Sequence, residues 1–228
     1  MTISDAAKTL CDSTDIIDLH LDTWIPKRLW GYNPTVSHSS ALFGRHFFGH
    51  SDIPRMKVAG ITGAMWSITT NPFKLSNARW QTFLDNLFEL ERFCEEQDGV
   101  WLCRNYDDYQ HAVANERHAV FPAVQGANAI SGAPDGIDSL PENHGISRMT
   151  LIHLTPSVYG NTSSPAHIAH SHKGLTPSGK ELVESMNQAG IFVDLAHIHK
   201  DGFWDAIDVH AKDIPILVTH TGVSGVSP

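Results

Sequence analysis

The chain has 228 residues and a formal net charge of −9, from 16 Lys and Arg against 25 Asp and Glu. Hydrophobic residues make up 41% and charged residues 18% of the sequence, which is the balance of an ordinary globular protein. The acidic charge argues against a nucleic-acid partner, because phosphate binding needs a surplus of Lys and Arg.

No apolar run reaches the ~18–20 residues that span a bilayer, and residues 1–15 lack the pattern of a signal peptide. We therefore expect no membrane partner and a cytoplasmic protein. Cys11, Cys94 and Cys103 form no CxxC pair, which favours free thiols over a disulfide framework or a zinc ribbon. Histidine is abundant, at 15 residues, and it is the commonest metal ligand.

Short apolar runs rich in β-branched residues alternate with helical or polar stretches along the chain, which predicts buried parallel strands. The six predicted strands are, in chain order, 15–22, 60–68, 119–127, 147–154, 190–198 and 215–223. Helical spacing and cap residues predict four helices, at 76–97, 105–116, 176–190 and 203–211. This alternation predicts an α/β fold with a parallel sheet.

Polar side chains collect at the carboxyl ends of nearly all these strands. They are His20, Asp22, Ser67, Gln125, His153, His197 and His220. A (β/α)8 TIM-type barrel builds its active site at that face, whereas an open doubly wound sheet, the alternative, needs such groups only near its switch point. We therefore predict a barrel that occupies residues 1–228 as a single domain.

A complete (β/α)8 barrel typically needs ~250 residues. We therefore expect this chain to be C-terminally incomplete, with the barrel truncated after about the sixth strand. Six strands cannot close the sheet and would leave two unpaired edges. Completion by oligomerisation, including a homodimer, is left open.

The spacing of His20 and Asp22 puts both side chains on the same face of a strand. Imidazole nitrogen and carboxylate oxygen are both zinc ligands, and two further histidines, His197 and His220, end later strands. Four such donors at one barrel face are what a one- or two-metal hydrolytic site requires. The alternative is a set of hydrogen-bonded structural residues.

The sequence resembles the membrane (renal) dipeptidase family, zinc peptidases of the metal-dependent hydrolase barrels. The matching segments are DLHLD at 18–22, HSDIPRMKVAGITGAMWS at 50–67, RMTLIHL at 148–154, GLTPSGKELVESMNQAGIFVDLAH at 174–197 and PILVTHT at 215–221. They are spread over most of the chain in the family's order. The resemblance implies a metallodipeptidase that hydrolyses the peptide bond of dipeptides, some with a D-residue at the C-terminal side, by a metal-activated water.

The resemblance also implies the roles of individual residues. His20 and Asp22 would hold one zinc ion, and His197 and His220 the other. His153 would contact the substrate or polarise its carbonyl group as a catalytic residue, and Asn161 is the candidate for a further substrate contact.

Two features depart from the family pattern. Gln125 stands where the family has a Glu that bridges both metals, and a neutral amide offers one carbonyl oxygen without negative charge. We therefore expect weaker binding of a second zinc, or a site for a single ion. The sequence also stops before the family's substrate-binding Arg and Asp. Two alternatives stay open: a catalytically impaired barrel that acts as a binding protein, and a related metal-dependent hydrolase of amides or lactones.

Overall fold

The computed structural model describes residues 4–38, 51–169 and 171–222. The α-helices in these ranges are α1 (Asp5–Ser13), α2 (Trp24–Trp30), α3 (Ile53–Val58), α4 (Ser76–Glu96), α5 (Tyr106–Ala114), α6 (Pro177–Gln188) and α7 (Lys200–Val209). The strands are β1 (Ile16–Leu21), β2 (Ile61–Thr69), β3 (Val100–Leu102), β4 (His118–Gln125), β5 (Arg148–Thr150) and β6 (Phe192–Asp194). His50, the first residue of one family-like segment, lies outside the described ranges.

Local chemistry explains where the helices begin. The side chain of Asn105 accepts a hydrogen bond from the backbone N–H of Asp108 at the start of α5. Thr176 caps α6 in the same way, and Pro177 occupies the first turn, where its missing N–H does no harm. Along α4, Phe83, Leu87 and Leu90 recur at helical spacing and are fully buried, so this helix is held by its apolar face.

The four predicted helices are confirmed as α4 to α7, with ends shifted by up to three residues. Three short helices, α1 to α3, and the three-residue strand β3 were not predicted. The prediction of a strand at 215–223 is wrong: only Leu217 makes a parallel bridge, to Asp194, and residue 223 is outside the described part. Turn or bend residues at 212–214 and at 220 flank the segment, and Pro215 lacks a backbone N–H, so the run that remains for pairing is short.

The chain divides into two compact units. The first contains residues 1–67 and 89–122, and the second contains residues 68–88 and 123–228. In the first unit β2 lies between β1 and β4, and Val100–Leu102 pairs in parallel with the first three residues of β4. In the second unit the last three residues of β4 pair with β5, and β5 pairs with β6, again in parallel.

The core of the first unit contains a cluster of aromatic rings around Trp66. Its ring lies 6.2 Å from that of Trp24 and 5.9 Å from that of Phe93, and the indole N–H donates to Nε2 of His118 over 3.3 Å. Gly63 permits the close approach of β4, because a Cβ atom there would lie 2.8 Å from Cβ of Ala119. The beginnings of β2 and β4 are therefore fixed by packing.

The core of the second unit is built on β5, β6 and α6. Met149 and Val193, which are register partners on the two strands, are fully buried. Val183 and Met186 of α6 are also fully buried, as the apolar stripe of this helix predicts. This packing leaves the carboxyl ends of β4, β5 and β6 to carry polar groups.

The predicted fold class, an α/β fold of the TIM-barrel type with about six strands, is confirmed by the parallel strands and the helices between them. That residues 1–228 form one domain stays a prediction. Within the described ranges, no helix combines the length and the apolar composition needed to cross a lipid bilayer.

Candidate metal centre

The predicted site residues fall into two groups, one in each unit. His20 and Asp22 belong to the first unit, and Gln125, His153, His197 and His220 belong to the second. They lie at or shortly after the carboxyl ends of parallel strands, where an α/β fold places its ligands, except His220, which follows the isolated bridge at Leu217.

In the first unit, β1 directs His20 and Asp22 to the same side, as the spacing predicts. Nε2 of His20 lies 3.2 Å from Oδ2 of Asp22, while the other ring nitrogen lies 3.1 Å from Oγ of Ser67 on β2. The side chain of His20 is nearly buried, whereas half of the Asp22 side chain is exposed. A hydroxyl group can either donate or accept, so Ser67 supports Nδ1 whichever ring nitrogen carries the proton.

In the second unit, His197 and His220 point their Nε2 atoms at each other over 2.7 Å. Nδ1 of His220 lies 2.8 Å from Oγ1 of Thr219, so the ring is fixed from behind. A polar group that holds the opposite ring nitrogen, as Thr219 does for His220, is typical of histidines that bind a metal.

The backbone of His197 is held in an unusual conformation. Its φ angle is 64°, in the left-handed region that residues other than glycine rarely adopt. Its carbonyl oxygen accepts hydrogen bonds from the N–H of Ser163 at 2.7 Å and from the hydroxyl of Thr162 at 3.2 Å. Strain of this kind persists where the surroundings fix the residue, and it is common at functional sites.

His153, the predicted catalytic residue, lies next to the histidine pair. Its ring meets that of His197 edge-on, with the centroids 4.9 Å apart. The Thr162 hydroxyl also contacts the His153 carbonyl oxygen, at 2.6 Å, so one buried threonine links the backbones of both histidines. Gly126 has a φ angle of 93°, and a Cβ atom there would lie 3.0 Å from Cβ of His153, so glycine makes room for this ring.

Gln125 ends β4 and is buried, with its amide between Thr150 and His220. Oγ1 of Thr150 lies 2.9 Å from Oε1 of Gln125, and Nε2 of the amide lies 3.3 Å from Nε2 of His220. Rotation of the amide by 180° would place the oxygen beside His220 and keep the bond to Thr150, because that hydroxyl can also accept. Neither orientation supplies a negative charge.

A fully buried ion pair lies beneath the histidine pair. Nη1 of Arg148 donates to Oδ2 of Asp194 at 2.8 Å, and the hydroxyls of Thr150 and Thr219 approach the same oxygen at 2.8 and 2.9 Å. Burial alone would raise the pKa of Asp194, but the Arg148 charge and hydrogen bonds from Thr150, Ala196 and Thr219 outweigh it and lower the pKa. Asp194 therefore stays ionised.

Asn161, the predicted substrate contact, is buried in the second unit. Its Oδ1 accepts from the N–H of Thr162 at 2.9 Å, and its carbonyl oxygen accepts from the N–H of His199 at 3.0 Å. These contacts fix the loop that carries Thr162. Its contact with a substrate stays a prediction.

The structure adds residues that sequence reasoning did not assign to the site. They are Thr150, Thr162, Thr219, Arg148 and Asp194, which contact the predicted donors or support them. A signal was available for two of them: Arg148 and Asp194 are opposite charges within predicted buried strands, where an ion needs a partner. The threonines gave no such signal in the sequence, because Thr is common in strands.

The donor chemistry fits zinc, although the donors come in pairs. Among residues 4–38, 51–169 and 171–222, no group of three or more His, Cys, Asp or Glu side chains is arranged to hold a metal ion. His197 and His220 supply two imidazole nitrogens, and His20 with Asp22 supplies a nitrogen and an oxygen. Each pair thus offers two of the four positions that zinc takes.

An α/β fold with imidazole and carboxylate donors at the carboxyl ends of its strands has the design of a metal-dependent hydrolase. Comparison with known families is more specific. The model of the membrane dipeptidase family (peptidase family M19) matches residues 4–228, and the chain belongs to this family. The resemblance inferred from the sequence motifs is therefore confirmed.

The sequence identity to individual relatives is low. Dipeptidase tcpJ of Claviceps purpurea is 26% identical over 190 residues, which cover 79% of this chain and 43% of that protein. The solved structure of the dipeptidase AC, an M19 metallopeptidase, shares the fold with a TM-score of 0.76 at 23% identity, over 94% of this chain and 65% of its own.

A metallopeptidase from Rhodobacter sphaeroides, solved with a phosphinate mimic of the dipeptide L-Ala-D-Ala, has a TM-score of 0.74 at 21% identity. The match covers 94% of this chain and 67% of that protein. The chain thus spans between 43% and 67% of the length of these three relatives.

Proposed function

We propose that this protein is a zinc-dependent dipeptidase that hydrolyses the peptide bond of small dipeptides. The observation that carries the proposal is the His197–His220 pair, whose Nε2 atoms face each other over 2.7 Å beside His153. Membership of the membrane dipeptidase family supports the reaction, and the bound dipeptide mimic of the Rhodobacter sphaeroides relative supports the substrate class.

Each residue has a part in the proposed reaction. His197 and His220 would hold zinc, and His20 with Asp22 forms the other predicted donor pair. When bound, zinc supplies a Lewis acid that polarises a carbonyl group and makes water nucleophilic at neutral pH. His153 donates a ring N–H to the substrate oxygen that gains negative charge in the transition state.

The number of zinc ions follows from charge. Gln125 places a neutral amide where the family has a glutamate, and an amide brings no negative charge to offset the charge of a second divalent cation. We therefore propose that one zinc ion binds tightly, at the His197–His220 pair, and that a second binds more weakly. The predictions of a homodimer and of a cytoplasmic location are untested.

The proposal is tested by removing metal from the full chain and adding zinc back. We expect hydrolysis of L-Ala-D-Ala and L-Ala-L-Ala to disappear on treatment with a chelator and to return with Zn²⁺. The His220→Ala variant should lose at least about 100-fold of the restored rate, since losing a ligand weakens a site more than the 10–100-fold seen on loss of an outer-shell partner.

The matched control is His111→Ala, because His111 lies on the exposed surface of α5, packed against Trp101. This variant should keep the wild-type rate at every zinc concentration. A wild-type chain that binds zinc but cleaves no dipeptide, or a His220→Ala variant as active as wild type, would contradict the proposal.

A second candidate function is a barrel that binds ligands without turnover. The buried amide of Gln125, which contacts Thr150 and His220, favours it, because this side chain brings no negative charge to the site. The Gln125→Glu variant separates the two functions. If Gln125→Glu cleaves dipeptides and the wild-type chain does not, the wild-type chain is a binding protein. If the wild-type chain cleaves dipeptides, that function is excluded.

A further inference from the structure

We propose that Thr219 and Asp194 are positioning residues for His220: Asp194 holds the Thr219 hydroxyl so that its oxygen accepts the Nδ1–H of His220, which keeps the proton off Nε2, the nitrogen assigned to metal binding. This inference rests on the proposed function, because it assigns a role in zinc binding. It assigns no contact between either residue and the substrate.

The direction of each hydrogen bond follows from the charge of Asp194. An ionised carboxylate can only accept, so the Thr219 hydroxyl donates its single proton to Oδ2 of Asp194 across 2.9 Å. The oxygen of Thr219 then has only lone pairs to offer to His220, whose Nδ1 lies 2.8 Å away. His220 must carry its proton on Nδ1, and the lone pair on Nε2 faces His197.

The position of Thr219 is fixed independently through the backbone. Its N–H donates to Oδ1 of Asp194 at 3.2 Å, so both the main chain and the side chain of this residue are bound to one carboxylate. Two residues earlier, Leu217 pairs with the strand β6, because its N–H donates to the carbonyl of Val193 and its carbonyl accepts from Leu195, each at 2.9 Å. The segment that carries His220 is thereby aligned with β6.

Arg148 completes the arrangement by keeping Asp194 charged. Both side chains are fully buried, and the 2.8 Å contact between Nη1 and Oδ2 provides the charge that the carboxylate needs inside the protein. A neutral acid at position 194 would instead carry its own proton, and Thr219 would no longer have to donate. The chain of contacts that runs from Arg148 through Asp194 and Thr219 to His220 therefore determines which nitrogen of the imidazole faces the site without a proton.

The test uses Thr219→Val, which keeps the shape of the side chain and removes the hydroxyl. Zn²⁺ is titrated into the metal-stripped full chain in competition with a chromophoric chelator. We expect Thr219→Val to bind zinc about 10–100-fold more weakly than wild type, the range found when an outer-shell partner of a ligand is lost. Thr219→Ser, which restores the hydroxyl, should recover most of the affinity.

The control is Thr221→Val, the same substitution at an exposed position whose hydroxyl contacts the adjacent Gly222 carbonyl. It should bind zinc as wild type does. Urea unfolding of each metal-free variant checks that Thr219→Val is folded under the titration conditions. Because valine could alter packing, the visible absorption spectrum of the Co²⁺ form provides a second readout, and it should change in Thr219→Val but not in Thr221→Val.

The outcomes distinguish this inference from the proposed function. If wild type binds no zinc, the proposed function fails before the variants are compared. If wild type binds zinc and Thr219→Val binds it equally well with an unchanged Co²⁺ spectrum, the positioning role is wrong and the zinc site stands. Weaker binding in Thr219→Val that serine does not rescue would also overturn it.

Discussion

Replacing Arg148 with Met is expected to lower the free energy of unfolding by about 3–5 kcal/mol. The variant leaves the Asp194 carboxylate fully buried without its cation, and an uncompensated charge is much less stable in the interior than in water. Urea denaturation followed by tryptophan fluorescence measures the loss.

Arg92→Met is the matched control, since Arg92 forms an exposed ion pair with Glu96 on α4 at 3.8 Å. A surface pair of this kind contributes about 0–1 kcal/mol, so the control should unfold almost as wild type does. The double variant Arg148→Met, Asp194→Asn should recover part of the loss because it removes the stranded charge. Equal stability of Arg148→Met and Arg92→Met would show that the buried pair is not important for folding.

Acid is expected to destabilise the first unit through His118, by up to about 3 kcal/mol. Burial lowers the pKa of His118 from 6.5 to about 4; the carbonyl of Ile61 opposes this shift slightly and the charge of Lys57 adds to it. The folded protein thus keeps the ring neutral, with Nε2 accepting from Trp66, while the unfolded chain takes up a proton below about pH 6.5.

The sign of the effect follows from the lowered pKa. The stability that the neutral His118 ring contributes is fully present above pH 6.5, and it is lost as the pH falls from 6.5 towards 4. Urea denaturation at intervals from pH 7.5 to 4 should therefore show a smaller slope in His118→Gln than in wild type. The exposed His111→Gln variant should keep the wild-type slope. Identical slopes in all three proteins would mean that His118 does not set the acid sensitivity.

Local patterns in the sequence were enough to place the first donors. A spacing of two residues on an apolar strand put His20 and Asp22 on one face, where their side chains contact each other. The third predicted strand corresponds to β4, and the last residue of β4, Gln125, lies within two residues of the predicted end. Both predictions depend only on the period of a strand, which neighbouring residues determine.

The contacts that orient the donors could not be predicted in this way. Thr219 and Asp194 are 25 residues apart and meet only because the segment after α7 returns beside β6. The strand β3 was missed because only four apolar residues, Val100–Cys103, stand between Gly99 and Arg104, whereas β5 and β6 lie within longer apolar runs. The segment at 215–223 was predicted as a strand from its apolar residues, but pairing depends on a neighbour that the sequence pattern does not specify.

The central claim is that His197 and His220 together hold a zinc ion. Isothermal titration of the metal-stripped full chain with Zn²⁺ tests it most directly, with His197→Ala and His220→Ala variants measured beside wild type and His111→Ala. We predict one tight zinc ion per chain in wild type and in the control, and loss of that tight binding in either site variant. Wild-type binding that survives both substitutions, or no tight binding by the wild-type chain, would contradict the account.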